Sequence, residues 1–155
     1  MPTMTSNCII GNSDAADELR KLKNEAGRRF ASRETSPLSL ASRQLQDISR
    51  LCRTGGWDGC DAVQVDESTL NHAWNLLELL SGEPIMPIII PEPDGQIDFM
   101  WRTRPDCVFS FSVDSDGMLY WAALDGDLAS SGRSRFYGDE VPFKVIELID
   151  RTING

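Results

Sequence analysis

The chain contains one histidine, His72, among 155 residues. That scarcity removes the commonest general base and most zinc-binding patterns together. The four cysteines, Cys8, Cys52, Cys60 and Cys107, include no Cys-x-x-Cys spacing. A zinc ribbon or dithiol redox motif is therefore not expected, and the thiols are expected to be free and mostly buried. Long apolar runs are absent too: the longest cluster, IMPIII at 85–90, is broken by proline and falls far short of the roughly 18 apolar residues of a membrane span. The opening MPTMTSNCIIGNS has neither a basic start nor a long apolar stretch, so no secretory signal is expected and the expected location is the cytoplasm. No Walker loop, GxGxxG, GxSxG or HExxH occurs, and no lysine follows the glycines at 55–59 to hold a phosphate.

The apolar content of 41% is enough for one packed domain. Charge is divided unevenly. Residues 1–53 hold nine Lys/Arg against six Asp/Glu, a net of +3, whereas residues 54–155 hold six against eighteen, a net of −12. An acidic body repels nucleic acid and attracts basic surfaces. Direct nucleic-acid binding is thus not expected of it, and a basic protein is the expected partner.

Taken in order, Ser13 reads as an N-cap, and Ala15, Leu19, Leu22, Ala26 and Phe30 form a helical stripe over about 14–32. Ser36-Pro37 starts a second helix with Leu38, Ala41, Leu45, Ile48 and Cys52 on one face. Residues 1–54 are accordingly expected to be a basic helical hairpin, appended to an acidic domain at 55–155. In that domain Gly55-Gly56-Trp57-Asp58-Gly59 must turn tightly. Asp66 caps a helix of 67–80 with a wide apolar face, closed by Gly82. Period-two alternation follows: Ile88–Ile90 as an edge strand, then Ile97, Phe99 and Trp101, then Phe109, Phe111 and Val113, then Met118–Ala123. Pro93-Asp94-Gly95, Ser115-Asp116-Gly117 and Asp125-Gly126 are the turns between. Residues 127–135 predict a loop or weak edge strand, with Phe136 and Tyr137 returning to the core, and a last helix begins at Pro142 after a cap near Asp139. The fold class is α+β: an antiparallel meander of about four strands packed against helices, preceded by the hairpin.

The order of these signals resembles a group of small, mostly uncharacterised bacterial proteins. Its marks are a GWDG-x-x-A loop, here Gly56 to Ala62, then a helix, a PxPDG turn, here Pro91 to Gly95, an aromatic strand, a second Asp-Gly turn at Asp116-Gly117 and a short terminal helix. Cys60 and Asp61 stand where an aromatic residue and a glycine are usual in that group. The resemblance covers about 56–153, implies kinship of fold and carries no established activity.

No constellation predicts catalysis, so the chain is read as not an enzyme. His72 and Cys60 lack a third orienting group. Asp114-Ser115-Asp116-Gly117 opens like a calcium loop, but Met118 and Asp125 stand where an oxygen ligand and a glutamate are required. No metal and no cofactor is expected. The leading expectation is a non-catalytic, protein-binding inhibitor of anti-CRISPR, antitoxin or immunity type, whose acidic surface occupies a basic groove of a nucleic-acid-handling protein. The expected contact residues are Trp57 as anchor, with Asp58, Asp61, Asp66, Glu67, Asp114 and Asp116. Two alternatives use other residues. A hairpin that binds nucleic acid would use Arg28, Arg29, Arg33, Arg43, Arg50 and Arg53, and a small metal-dependent enzyme would use the carboxylates from Asp58 to Glu67. Oligomeric state is open.

Overall fold

A computed structural model describes residues 36–155. The first expected helix, and with it the hairpin as a unit, lies outside the described residues. Helix α1 spans Pro37–Leu51. It begins where the sequence predicts: Ser36 is extended, and its hydroxyl accepts the Ser39 N–H at 3.1 Å while Pro37 supplies the pre-set φ of the first turn. Helix α2 spans Glu67–Leu79, with Asp66 in the N-cap position but without a side-chain cap bond. Leu80, not Gly82, is its C-cap, in the right-handed region, so no left-handed glycine is needed there.

Five strands follow: β1 Ile88–Pro91, β2 Ile97–Arg104, β3 Cys107–Val113, β4 Met118–Asp125 and β5 Leu128–Arg135. Helix α3, Phe143–Asn154, closes the chain, starting after Pro142 rather than at a cap near Asp139. The strands lie side by side in the order β1-β2-β3-β4-β5, every neighbouring pair antiparallel. The expected meander of about four strands is therefore corrected to five. The addition is β5, whose LASSGRSR sequence lacks apolar alternation. It is a strand because the eight residues of β4 offer it a complete ladder, from Met118 opposite Arg135 to Asp125 opposite Leu128.

Directly paired residues share a face. Ile97, Phe99 and Trp101 of β2 therefore point the same way as Phe109, Phe111 and Val113 of β3, and all six are buried. Phe99 stacks on Phe111 with ring centroids 4.9 Å apart, and Trp101 on Phe109 at 5.9 Å. Such pairs are worth about 0.5–1.5 kcal/mol beyond the area they bury. The Trp101 indole N–H donates to the Ile85 carbonyl at 3.0 Å, so its burial leaves no polar atom unmet. Helices α2 and α3 cover this face over β2 and β3, while α1 packs on β1 and α2.

Ala41, Leu45, Ile48 and Cys52 join the same core cluster as the sheet residues. Among the described residues, a boundary at 54 does not separate two cores: the helix read as half of an appendage is part of the body. Cys52 and Cys107 are free and buried, and burial pushes the Cys52 thiol up to about 12, which leaves it protonated and unreactive. Cys60, half-buried at a loop tip, is disulfide-bonded, which corrects the expectation of free thiols at that position.

Because Leu45 is fully buried in the shared core, Leu45→Ala is expected to cost about 2–4 kcal/mol. Denaturant unfolding followed by both far-ultraviolet dichroism and tryptophan fluorescence should shift as one transition. A separate early transition for α1, with the main one unmoved, would show an appendage instead.

Candidate acidic site at one end of the sheet

In an antiparallel meander, alternate turns lie at the same end. The β1–β2 turn (92–96) and the β3–β4 turn (114–117) thus share an end, and β5 finishes there. The loop from Cys52 to Val65 is tied to this end by its backbone. Val65 N–H donates to Cys52 O at 2.9 Å and Val63 N–H to Pro93 O at 2.7 Å. Helix α2 starts beside it, and its His72 stands over Gly117 and edge-on to Phe136, ring centroids 6.1 Å apart. His72 thus packs against the sheet, on a different element from Cys60. The topology brings Asp58, Asp61, Asp66, Glu67, Asp114 and Asp116 to one end, together with Asp94.

These carboxylates divide by task. Asp58 Oδ1 accepts the N–H of Cys60 at 2.8 Å and of Ala62 at 3.3 Å. Asp114 Oδ1 repeats the pattern, accepting from Asp116 and Met118, both at 2.9 Å, while its Oδ2 takes the Tyr120 hydroxyl at 3.2 Å. Asp94 Oδ1 accepts from Gln96 N at 3.0 Å. All three build their own turns. Asp61, Asp66, Glu67 and Asp116 are exposed. Of these, only Asp66 accepts a side-chain bond, from Gln64 at 3.3 Å, among the described residues.

Trp57 does not face outward. It is 6% exposed, and its indole N–H donates to Val63 O at 2.8 Å. It anchors the loop, and its ring is turned inward instead of being offered to a partner. Of the six arginines in the nucleic-acid alternative, Arg28, Arg29 and Arg33 lie outside the described residues. Arg43, Arg50 and Arg53 are exposed. Arg50 pairs with Asp47 at 3.5 Å, and Arg53 Nε donates to Ser49 O at 2.9 Å near the end of α1. Among the described residues no three His, Cys, Asp or Glu side chains come close enough to hold a metal ion, and no helix is long and apolar enough to cross a membrane.

One acidic residue escaped sequence reasoning. Asp98 lies on the other face of the sheet, paired with Ile90 and Ser112, beside Met100 and Ser110. Burial first, and the nearby Glu92 second, push its carboxyl up to about 7, against the Ser110 hydroxyl, which lowers it. The strand pattern marks Asp98 as outward-pointing. Only the third consecutive isoleucine of β1 hints that this outer face is apolar.

No protein-family model, curated protein or solved structure matches the chain.

Two outcomes follow from this geometry. A Cβ at Gly95, which has φ +87°, would stand 2.8 Å from the Gln64 carbonyl. Gly95→Ala should therefore destabilise by more than about 1 kcal/mol, measured by urea unfolding against Gly126→Ala, where nothing lies in the way of a Cβ. For Asp98, the folded protein holds its proton more tightly than the unfolded chain. The Asp98 contribution to stability should be fully present below pH ~4 and be lost, by up to about 4 kcal/mol, as pH rises towards 7. Asp98→Asn should flatten that slope and be the more stable protein at pH 8. Parallel curves for the two proteins would refute the assignment.

Proposed function

We propose that this chain is a non-catalytic binding protein whose acidic end engages a basic surface of a nucleic-acid-handling protein, as an inhibitor of anti-CRISPR, antitoxin or immunity type would. The observation that supports this reading is the division of labour among the carboxylates. Asp58, Asp94 and Asp114 hold the turns rigid, while Asp61, Asp66, Glu67 and Asp116 project from them with oxygens left for a partner. Charges carried on short, internally bonded loops lose little freedom on binding, so more of their attraction is realised as affinity. A net charge of −9 speeds encounter with a basic surface, and salt screens that effect. Trp57 has a supporting role here: it fixes the loop that carries Asp58 and Asp61.

The test is affinity capture with the full-length chain, followed by a salt titration of the captured complex. The chain carrying D61N, D66N, E67Q and D116N is expected to bind its partner about tenfold or more weakly, with a shallower salt dependence. A control carrying D106N and D150N, at the opposite end of the sheet, should behave as the unaltered chain. Unchanged affinity and salt dependence in the fourfold variant would sink the reading.

A further inference from the structure

The two edges of the sheet are finished differently. β1 is four residues long and ends in Pro91, which has no N–H. The Ile89 N–H is taken by Gln44 Oε1 of α1 at 2.9 Å, and α1 lies against the strand. Edge protection of this kind keeps another chain from adding on. β5 has none. It is eight residues long, contains no proline, and all but Ser134 are exposed, Leu128 by 77%. Helix α3 approaches only its first residues, across a cavity of about 220 Å³ between Leu128 and Leu148. What holds β5 is its ladder to β4 and the Trp121 ring lying over Gly132, where a side chain would collide with the indole.

Charge runs along this strand in one direction. Asp127 stands in the turn just before its start, and Arg133 and Arg135 at its end. All three are exposed. An identical strand laid antiparallel against the free edge brings the acidic start of one copy beside the basic end of the other, at both ends at once. A parallel copy would align like charges. The small residues between, Ala129, Ser130, Ser131 and Gly132, leave no bulk to hold two backbones apart. Arg135 already donates to the Asp116 carbonyl at 3.1 Å. A guanidinium has five N–H donors, so others remain for a carboxylate.

We propose that β5 is a dimerisation strand: two copies of the chain pair β5 to β5, antiparallel, into one continuous sheet, with the Arg133 and Arg135 end of each copy facing Asp127 of the other. The edge backbone groups supply the affinity and the charge dipole sets the direction. This inference does not depend on the function proposed above: β5 ends at the acidic end of the sheet, but the pairing uses its free edge and none of the projecting carboxylates.

Sedimentation velocity on the full-length chain, over a concentration series at low salt, should show a monomer–dimer equilibrium. R133D/R135D makes both ends of β5 acidic, and D127R makes both basic. Each variant alone should dimerise about tenfold or more weakly, since every reversed position counts twice in a symmetric pair. An equimolar mixture of the two should recover dimers containing one of each. Dichroism checks that each variant is folded. Should either fail to fold, hydrogen exchange on the unaltered chain decides: β5 amides gain protection as concentration rises if the strand pairs with itself. A chain that stays monomeric, a dimer that neither variant weakens, a mixture that does not recover, or β5 exchange independent of concentration each overturns the proposal. Binding of an extended segment of another protein to a monomeric chain counts among those.

Discussion

The hydrogen bond from Val63 N–H to the Pro93 carbonyl, 2.7 Å long, ties the irregular part of this protein to its sheet. Around it three separate pieces of chain meet. The end of α1 is held by Val65 N–H on Cys52 O, the loop folds back through Gly56 N–H on Ala62 O, and the Trp57 indole closes on Val63 O. Each such bond is worth about 1 kcal/mol net, but leaving its buried partner unmet costs more. The loop residues make sense in that light. Gly56 and Gly59 take positive φ, Asp58 satisfies two N–H groups within the turn, and Gly95 lacks the Cβ that would push the Gln64 carbonyl away. Once Val63 is docked, α2 begins at the same end of the sheet as the turns, and its apolar face falls across β2 and β3.

That docking also concentrates charge. A loop, a helix start and two turns deliver their carboxylates to one end because antiparallel connections alternate ends. The same residue type does two kinds of work there. An aspartate whose oxygens point back into its own turn fixes geometry, while one pointing outward sets the field. Loops held on a rigid scaffold are where binding residues concentrate in proteins generally. The proposed role uses the outward set and depends on the inward set for its stiffness.

The sheet is unequal from edge to edge and from face to face. Its inner face is an aromatic stack under helices, and its first edge is closed by Gln44 and proline. The outer face carries Ile90 and Met100 beside a carboxyl whose proton is held to about neutral pH. Among the described residues the last edge, β5, is open, and it carries charge of both signs. An open edge strand is costly for a protein to leave unprotected, and the proposed pairing gives this one a partner.

Much of the architecture was legible because its causes are local. Ser36-Pro37 caps and starts α1 through atoms three residues apart, the Asp-Gly turns depend on single glycines, and alternation in β2 and β3 follows from the pleat. The aspartates of the acidic end were legible as residues, but their division into turn-builders and projecting charges was not, since it depends on which way each loop curls. β5 was read as a loop or weak strand because nothing in its own residues demands more; the neighbouring β4 ladder decides it. Tyr137, expected in the core beside Phe136, is 81% exposed, because only one of two adjacent residues can face inward where the strand ends. The inclusion of α1 in the common core, the inward turn of Trp57 and the raised carboxyl of Asp98 share one origin. Each is a sum of contacts and lost water from residues far apart in the chain. The sequence by itself determined the elements and their turns, through hydrogen bonds and sterics within a few residues. Which faces lost water, which edge stayed open and which charges gathered were decided by tertiary structure alone, because packing and desolvation exist only once distant segments meet.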